Sequence, residues 1–318
     1  MNIVWISFHE EAFLAFHAVL KKYKKISAFI TLDDEAFAKK SAGIRAYKGI
    51  CEEYHIPYIT VPTIKSDEAF EIISSYHPDL LIVLGWSEIL PERLLKVPVI
   101  GTVGAHASLL PHNRGSAPIN WALIHGEKRT GNTLMWLNTK VDEGKIIDQM
   151  EFPITIYDSC QTLYEKVAET NSEMLLRLIK ELEKGLKSIN SIENITDEPL
   201  LPRRRPKDGL VNWNKSGMNI YNFIRALTHP YPGAFTYLEG RKWILWKAAL
   251  LPFHSVNSNL KPGEILDYAY SFSNDANGLL VGTTKEILLI TEMEDMKGNQ
   301  YSGKSLNELN LKGVFGYE

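Results

Sequence analysis

Through the first half of the chain, short β-branched apolar runs at residues 3–7, 27–32, 58–61, 80–84 and 99–103 alternate with amphipathic stretches. The runs predict strands and the stretches between them helices. Segments such as DLLIVLGW are apolar on both faces, as a strand covered by helices on both sides must be. The pattern therefore predicts an α/β domain, a doubly wound, Rossmann-like and mostly parallel sheet. Ligands of such sheets sit beyond the carboxyl ends of the strands, where this chain carries Gly85-Trp86-Ser87 and Gly104-Ala105-His106.

After Arg129 the character changes, and TGNTLMWL and KIIDQMEFPI read as two further strands joined across 138–144, with Asp142 in the connection. A helix is expected over 159–184, with Ser159 as its N-cap and Gly185 as its stop. Its stripe of Leu163, Val167, Met174, Leu178 and Leu182 reads as core packing. Residues 188–205 are polar and proline-bearing and are expected to link a catalytic domain, 1–187, to a smaller carboxyl-terminal domain, 206–318. In the latter, one helix at 218–228 precedes alternating segments that predict a small antiparallel, β-barrel-like (OB-like) fold.

Composition narrows the function classes. A formal charge of -3 gives no overall pull toward nucleic acid or anionic lipid, so any such partner must be argued locally. The two cysteines, Cys51 and Cys160, have neither disulfide-scaffold nor zinc-knuckle spacing and read as reduced thiols. No secretory signal pattern or spanning apolar run is visible, so a cytoplasmic protein with no membrane partner is expected. Asn194-Ile195-Thr196 matches a glycosylation sequon and reads as a chance match.

The densest chemical cluster is HASLLPHNRG, beginning at His106. A strand-end histidine facing the ligand crevice can exchange a proton near neutral pH, or it is a satisfied core residue. Ser108, Arg114 and Gly115 are candidate substrate contacts, the arginine fork suiting a carboxylate or phosphate unless it merely holds a turn. Asp142 is the natural partner of His106, since a carboxylate beside an imidazole fixes its tautomer. GNQYSGKS at 298–305 has the spacing of a phosphate-binding loop, but too little chain follows it and no parallel sheet is expected there, so it reads as a turn. No dinucleotide fingerprint follows the first strand. Arg203-Arg204-Arg205 is a basic cluster suited to phosphate or RNA, or a solvated linker.

Over more than forty residues, HASLLPHNRGSAPINWALIHGEKRTGNTLMWLNTKVDEGKIIDQ resembles the signature of formyltransferases that use 10-formyltetrahydrofolate. VLGWSEILP resembles their folate loop, and RRRPKDG, VNW and IRALTHPYPGAFTYL resemble their carboxyl-terminal domain. The resemblance implies 10-formyltetrahydrofolate as cosubstrate, with no metal, and a pterin lodged against Trp86, Ser87, Glu88, Ile89, Leu90, Lys140, Val141 and Asp142. It implies His106 and Asp142 as catalytic residues. The family's asparagine two residues before the histidine is Gly104 here, which removes an oxyanion donor worth on the order of 3 kcal/mol in other enzymes. Protonated His106, a backbone N–H or water is expected to substitute. The early loop DDEAFAKKSAGIRAYKGI is short and acid-bearing, and PINWALIHGE resembles the sugar-modifying branch. A nucleotide-linked amino sugar is thus the expected acceptor, with methionyl-tRNA second and a folate-binding pseudoenzyme the alternative of another class. A homodimer is compatible with this reading.

Overall fold

The computed structural model describes residues 1–23, 26–40, 43–185, 190–251, 260–270 and 277–317. They form two compact units, one of Met1–Pro118, Arg129–Pro153 and Leu163–Pro202, the other of Ile119–Lys128, Ile154–Thr162 and Arg203–Glu318. Of the segment read as a linker, residues 188–189 lie outside the described residues. Its residues up to Pro202 belong to the first unit, and Arg203 opens the last segment of the second.

The first unit carries strands β1 (Ile3–Ile6), β2 (Ile26–Leu32), β3 (Tyr58–Val61), β4 (Leu80–Val83), β5 (Gly101–His106), β6 (Arg129–Trp136) and β7 (Ile146–Pro153). They form one sheet in the order β3-β2-β1-β4-β5-β6-β7. The first five are parallel, and β6 and β7 are antiparallel additions beside β5. Successive strand side chains point to opposite faces, which builds two cores. Ile3, Trp5, Phe29, Leu80, Ile82 and Val103 pack with helices α1 (Phe13–Tyr23), α3 (Ala46–Glu53) and the part of α7 (Cys160–Glu183) from Met174 to Leu182. Val4, Ile6, Ala28, Ile30, Leu81 and Val83 pack with α4 (Asp67–Ser75) and α5 (Glu92–Leu95). The short helix α2 (Asp34–Phe37) is capped by Asp33, whose side chain accepts from Ala36 N–H.

The long helix matches its expectation within a residue at either end, and the stripe of α7 is in the core. The strand expected at 99–103 begins two residues later. Val99 is 83% exposed, and the Val99 and Ile100 amides bond Pro78 and Asp79 carbonyls in a connection, so β5 starts at Gly101. Pairing with β6 (Gly104↔Met135, His106↔Thr133) carries β5 on to His106, which is the last strand residue rather than the first of a loop.

The second unit contains α6 (Pro118–His125) beyond its first residue, α8 (Gly217–Leu227) and strands β8 (Ala234–Leu238), β9 (Arg241–Leu250), β10 (Ile265–Ala269), β11 (Gly278–Gly282) and β12 (Ile287–Glu294). These strands are antiparallel in the order β10-β11-β12-β9-β8, with β13 (Gln300–Ser302) on β12. The chain's last strand-like residues connect the two ends of that order. Gly316 bridges Tyr237 of β8, and Val314 bridges Glu264 just before β10. This is the barrel-like closure the alternating pattern predicts, and it removes both open edges over those residues. The sequence GNQYSGKS runs through a turn, β13 and the first turn of the five-residue helix α9 (Lys304–Glu308) on an antiparallel edge. That context differs from a phosphate-binding loop, which follows a buried parallel strand.

Candidate active site

Strand β5 delivers His106 to the carboxyl end of the parallel sheet, 8% exposed. Its Nε2 lies 2.9 Å from the Asn113 carbonyl, and its Nδ1 lies 3.5 Å from Asp142 Oδ1. Both ring nitrogens face acceptors, so a cationic imidazole would have both N–H groups directed at oxygen. The second Asp142 oxygen accepts from Gly115 N–H at 2.9 Å, so one carboxylate joins the 106–115 loop to the 138–144 connection. Asp142 has a left-handed backbone, φ 54°, a region that few residues other than Gly, Asn and Asp enter.

Arg114 is 5% exposed and does not project into solvent as an open anion fork. Its Nη2 donates to Val141 O at 3.0 Å and Glu143 Oε1 at 2.7 Å, bracing the residues on either side of Asp142. Lys140, and Arg114 behind it, hold the Glu143 carboxyl below its usual range. Ser108 is wholly buried, and its hydroxyl donates to His112 O at 2.7 Å. Thr133 Oγ1 bonds Ser108 O, and Gln149 Nε2 reaches both Leu110 O and Thr133 Oγ1, so β6 and β7 fix the loop from below. Ser108 and Arg114 thus shape the site's framework. Gly115, at φ 108°, provides the amide for Asp142, and a Cβ there would lie 2.5 Å from the Leu201 backbone.

Beyond β4, Gly85 takes φ 57° and passes so close to His9 that a Cβ would meet it at 2.5 Å. Trp86 packs edge-on against Phe8, and its buried Nε1 has no hydrogen-bond partner among the described residues. Glu88 accepts from Thr63 Oγ1 and Ile64 N–H, anchoring the loop. Ser87 and Ile89 are exposed, Leu90 is buried, and Lys140 and Val141 lie on the exposed side of the Asp142 connection. At Gly104 a Cβ would lie 2.7 Å from Leu137 Cδ2, so Leu137 fills the direction a side chain would take. His9, Asn113, Gln149 and Leu137 escaped the sequence reading. The only cue was the Asn113-Arg114-Gly115 triplet, of which Asn113 (φ 57°) and Gly115 do adopt left-handed backbones.

In the second unit, Arg204 is half-buried between the rings of Trp121 and Phe223, 5.0 and 5.3 Å away. The middle arginine of the basic cluster therefore serves as packing, while Arg203 and Arg205 are exposed. Among the described residues no group of three or more His, Cys, Asp or Glu is placed to hold a metal ion, and no helix is long and apolar enough to cross a membrane.

A strand-end histidine tied to a carboxylate at the open end of an α/β sheet is an arrangement able to take up or give up a proton. Comparison with known proteins narrows this. Residues 16–179 match the formyl transferase family model and residues 204–310 its C-terminal domain model. The chain is 33% identical over 316 residues to the bifunctional polymyxin resistance protein ArnA of Wigglesworthia glossinidia brevipalpis, covering 99% of this chain but 45% of that protein. It is 30% identical over 314 residues to the methionyl-tRNA formyltransferase of Thermodesulfovibrio yellowstonii, covering 96% of this chain and 97% of that one. Two solved structures share the fold. HypX from Aquifex aeolicus in complex with tetrahydrofolic acid has TM-score 0.67 at 18% identity, over 100% of this chain and 48% of that one. The sugar 3N-formyl transferase WlaRD, in the presence of dTDP and 5-N-formyl-THF, has TM-score 0.64 at 17% identity, over 91% of this chain and 97% of that one. The chain spans less than half the length of ArnA and HypX and nearly all of the other two. The chain belongs to the formyl transferase family.

Proposed function

We propose that the protein transfers the formyl group of 10-formyltetrahydrofolate to the amine of a nucleotide-linked amino sugar. The neutral amine attacks the formyl carbon, and the tetrahedral centre collapses with cleavage of the bond to the folate nitrogen, the amine's proton passing through His106 to that departing nitrogen. Asp142 orients the imidazole and balances its charge. The oxyanion that Gly104 cannot serve is stabilised by the cationic form of His106, whose geometry supplies acceptors for both N–H groups. The pterin lies against the loop from Trp86 to Leu90 and against Lys140, Val141 and Asp142. The unpartnered Trp86 Nε1 is a donor on that loop.

The observation that carries the choice of acceptor is the state of the charges on the early loop. Lys39 pairs with Glu35 at 2.8 Å, Arg45 with Asp34 at 2.8 Å, and Lys40 donates to Ser87 Oγ. A docking surface for a large polyanion needs cations free to displace counterions from phosphates. A cavity of about 470 Å³ in the same unit is lined by Glu10, Glu11, Glu165 and Glu169, which adds further negative charge. Methionyl-tRNA is the second reading, favoured by the near-complete overlap with a methionyl-tRNA formyltransferase.

The test is incubation with 10-formyltetrahydrofolate and a panel of nucleotide-linked amino sugars and methionyl-tRNA, with His106→Ala as control and mass spectrometry as readout. Formylated sugar, absent in the control, is expected. Formylated methionyl-tRNA alone would replace the acceptor and keep the chemistry; folate binding without product would leave a pseudoenzyme.

A further inference from the structure

Asp142 holds a left-handed backbone, φ 54°, which aspartate adopts more readily than most residues but still at a cost, so contacts from its neighbours help to hold it. The segment 192–201, polar and proline-bearing, crosses both pieces of chain that form the His106–Asp142 pair. Ile192 exchanges two backbone hydrogen bonds with Ile146, each 2.8 Å. Leu201 receives Ser116 N–H and donates to Arg114 O. Between these anchors Asn194 turns inward, 4% exposed, and its Nδ2 donates to the Asp142 carbonyl at 2.7 Å. Its Oδ1 is buried with no partner among the described residues. Leaving a buried acceptor unsatisfied costs free energy, so the amide is not there for its own stability.

We propose that Asn194 is a positioning residue: it fixes the left-handed backbone of Asp142 so that the carboxylate spans Gly115 N–H and His106 Nδ1. This rests on the reading of His106 and Asp142 as the reacting pair. The amide acts from the main-chain side of Asp142 while Arg114 braces the flanking Val141 O and Glu143, so Asp142 is gripped independently of its own side chain. The burial of the Asn194 amide also leaves the acceptor of the sequon match at 194–196 no room for a glycan.

The test compares steady-state kinetics of wild type, Asn194→Ala, Asp142→Asn and the double variant, with Glu193→Ala as control for the strap. Glu193 is exposed and pairs only with Lys145 on the surface. Asn194→Ala is expected to lower kcat about 10–100-fold, as misplacing a reacting group by about 1 Å does, with KM for the folate changed less than about threefold and Glu193→Ala unchanged. Asn194→Asp, which keeps the volume and loses the donor, is expected to match it and serves if the alanine variant does not fold. In the Asp142→Asn background, Asn194→Ala is expected to add less than about a twofold loss, because both act through one group. A kcat within twofold of wild type for Asn194→Ala, or the same fold-loss in both backgrounds, overturns the proposal. Full activity of Asp142→Asn would instead refute the reacting pair itself, and the proposal with it.

Discussion

Asp142→Asn is the substitution whose outcome the site geometry determines most fully. Asparagine is isosteric, but only one of its two terminal atoms accepts a hydrogen bond. The Gly115 N–H at 2.9 Å requires that atom to be oxygen, which turns the NH2 toward His106 Nδ1 at 3.5 Å. Nδ1 must then be unprotonated, and Nε2–H must donate to the Asn113 carbonyl at 2.9 Å. The ring becomes fixed as a neutral tautomer with no nitrogen able to take the amine's proton and no positive charge for the oxyanion. A unit pair 3.5 Å apart interacts by roughly 5 kcal/mol at an effective dielectric of about 20. Losing most of it in the transition state corresponds to a fall in kcat on the order of 10³-fold. The backbone N–H keeps an acceptor, so stability should drop by about 1 kcal/mol and Tm by about 2–4 °C. Steady-state kinetics against the acceptor beside a thermal melt separates the two. A kcat within tenfold of wild type would refute the argument.

Three further outcomes follow from the packing. Gly104→Asn drives a Cβ to 2.7 Å from Leu137 Cδ2 and should cost about 1–3 kcal/mol in a denaturant titration, with Leu137→Ala in the same chain recovering most of it; equal stability of the single variant and wild type would contradict this. Cys51 and Cys160 are wholly buried, and burial pushes each thiol up to about 12, so neither should react with a thiol reagent at pH 8 until the protein is unfolded, when two should react. Arg204→Ala leaves Trp121 and Phe223 without the guanidinium between them and should destabilise the second unit by about 1–3 kcal/mol, read as an earlier tryptophan-fluorescence transition in urea, with no loss of formyl-donor affinity.

The parallel sheet was legible because its strands are apolar on both faces, and α7 because a 24-residue amphipathic run between Ser159 and Gly185 has a single reading. The run at 99–103 misled because β-branched residues look the same in a strand and in an exposed connection, and only pairing with β4 and β6 sets where β5 begins. In the HASLLPHNRG cluster the sequence shows which polar residues lie together but not how each is held. Arg114 reads as an open fork until burial shows it spent on Val141 and Glu143, and Ser108 reads as a contact until its hydroxyl is found bonded inside its own loop. Asn194 carried the wrong signal altogether. A polar, proline-bearing stretch reads as linker, and nothing local shows that an amide meets a carbonyl 52 residues away.

What most needs testing is whether His106 and Asp142, with glycine at 104, form a working formyl-transfer site. The most direct test is the stoichiometry of tetrahydrofolate release, followed spectrophotometrically with 10-formyltetrahydrofolate and a nucleotide-linked amino sugar, against formylated sugar quantified in the same sample. One tetrahydrofolate per formylated amine, lost in His106→Ala, is the expected result. Release no faster than in buffer, from protein that binds the folate, would contradict it.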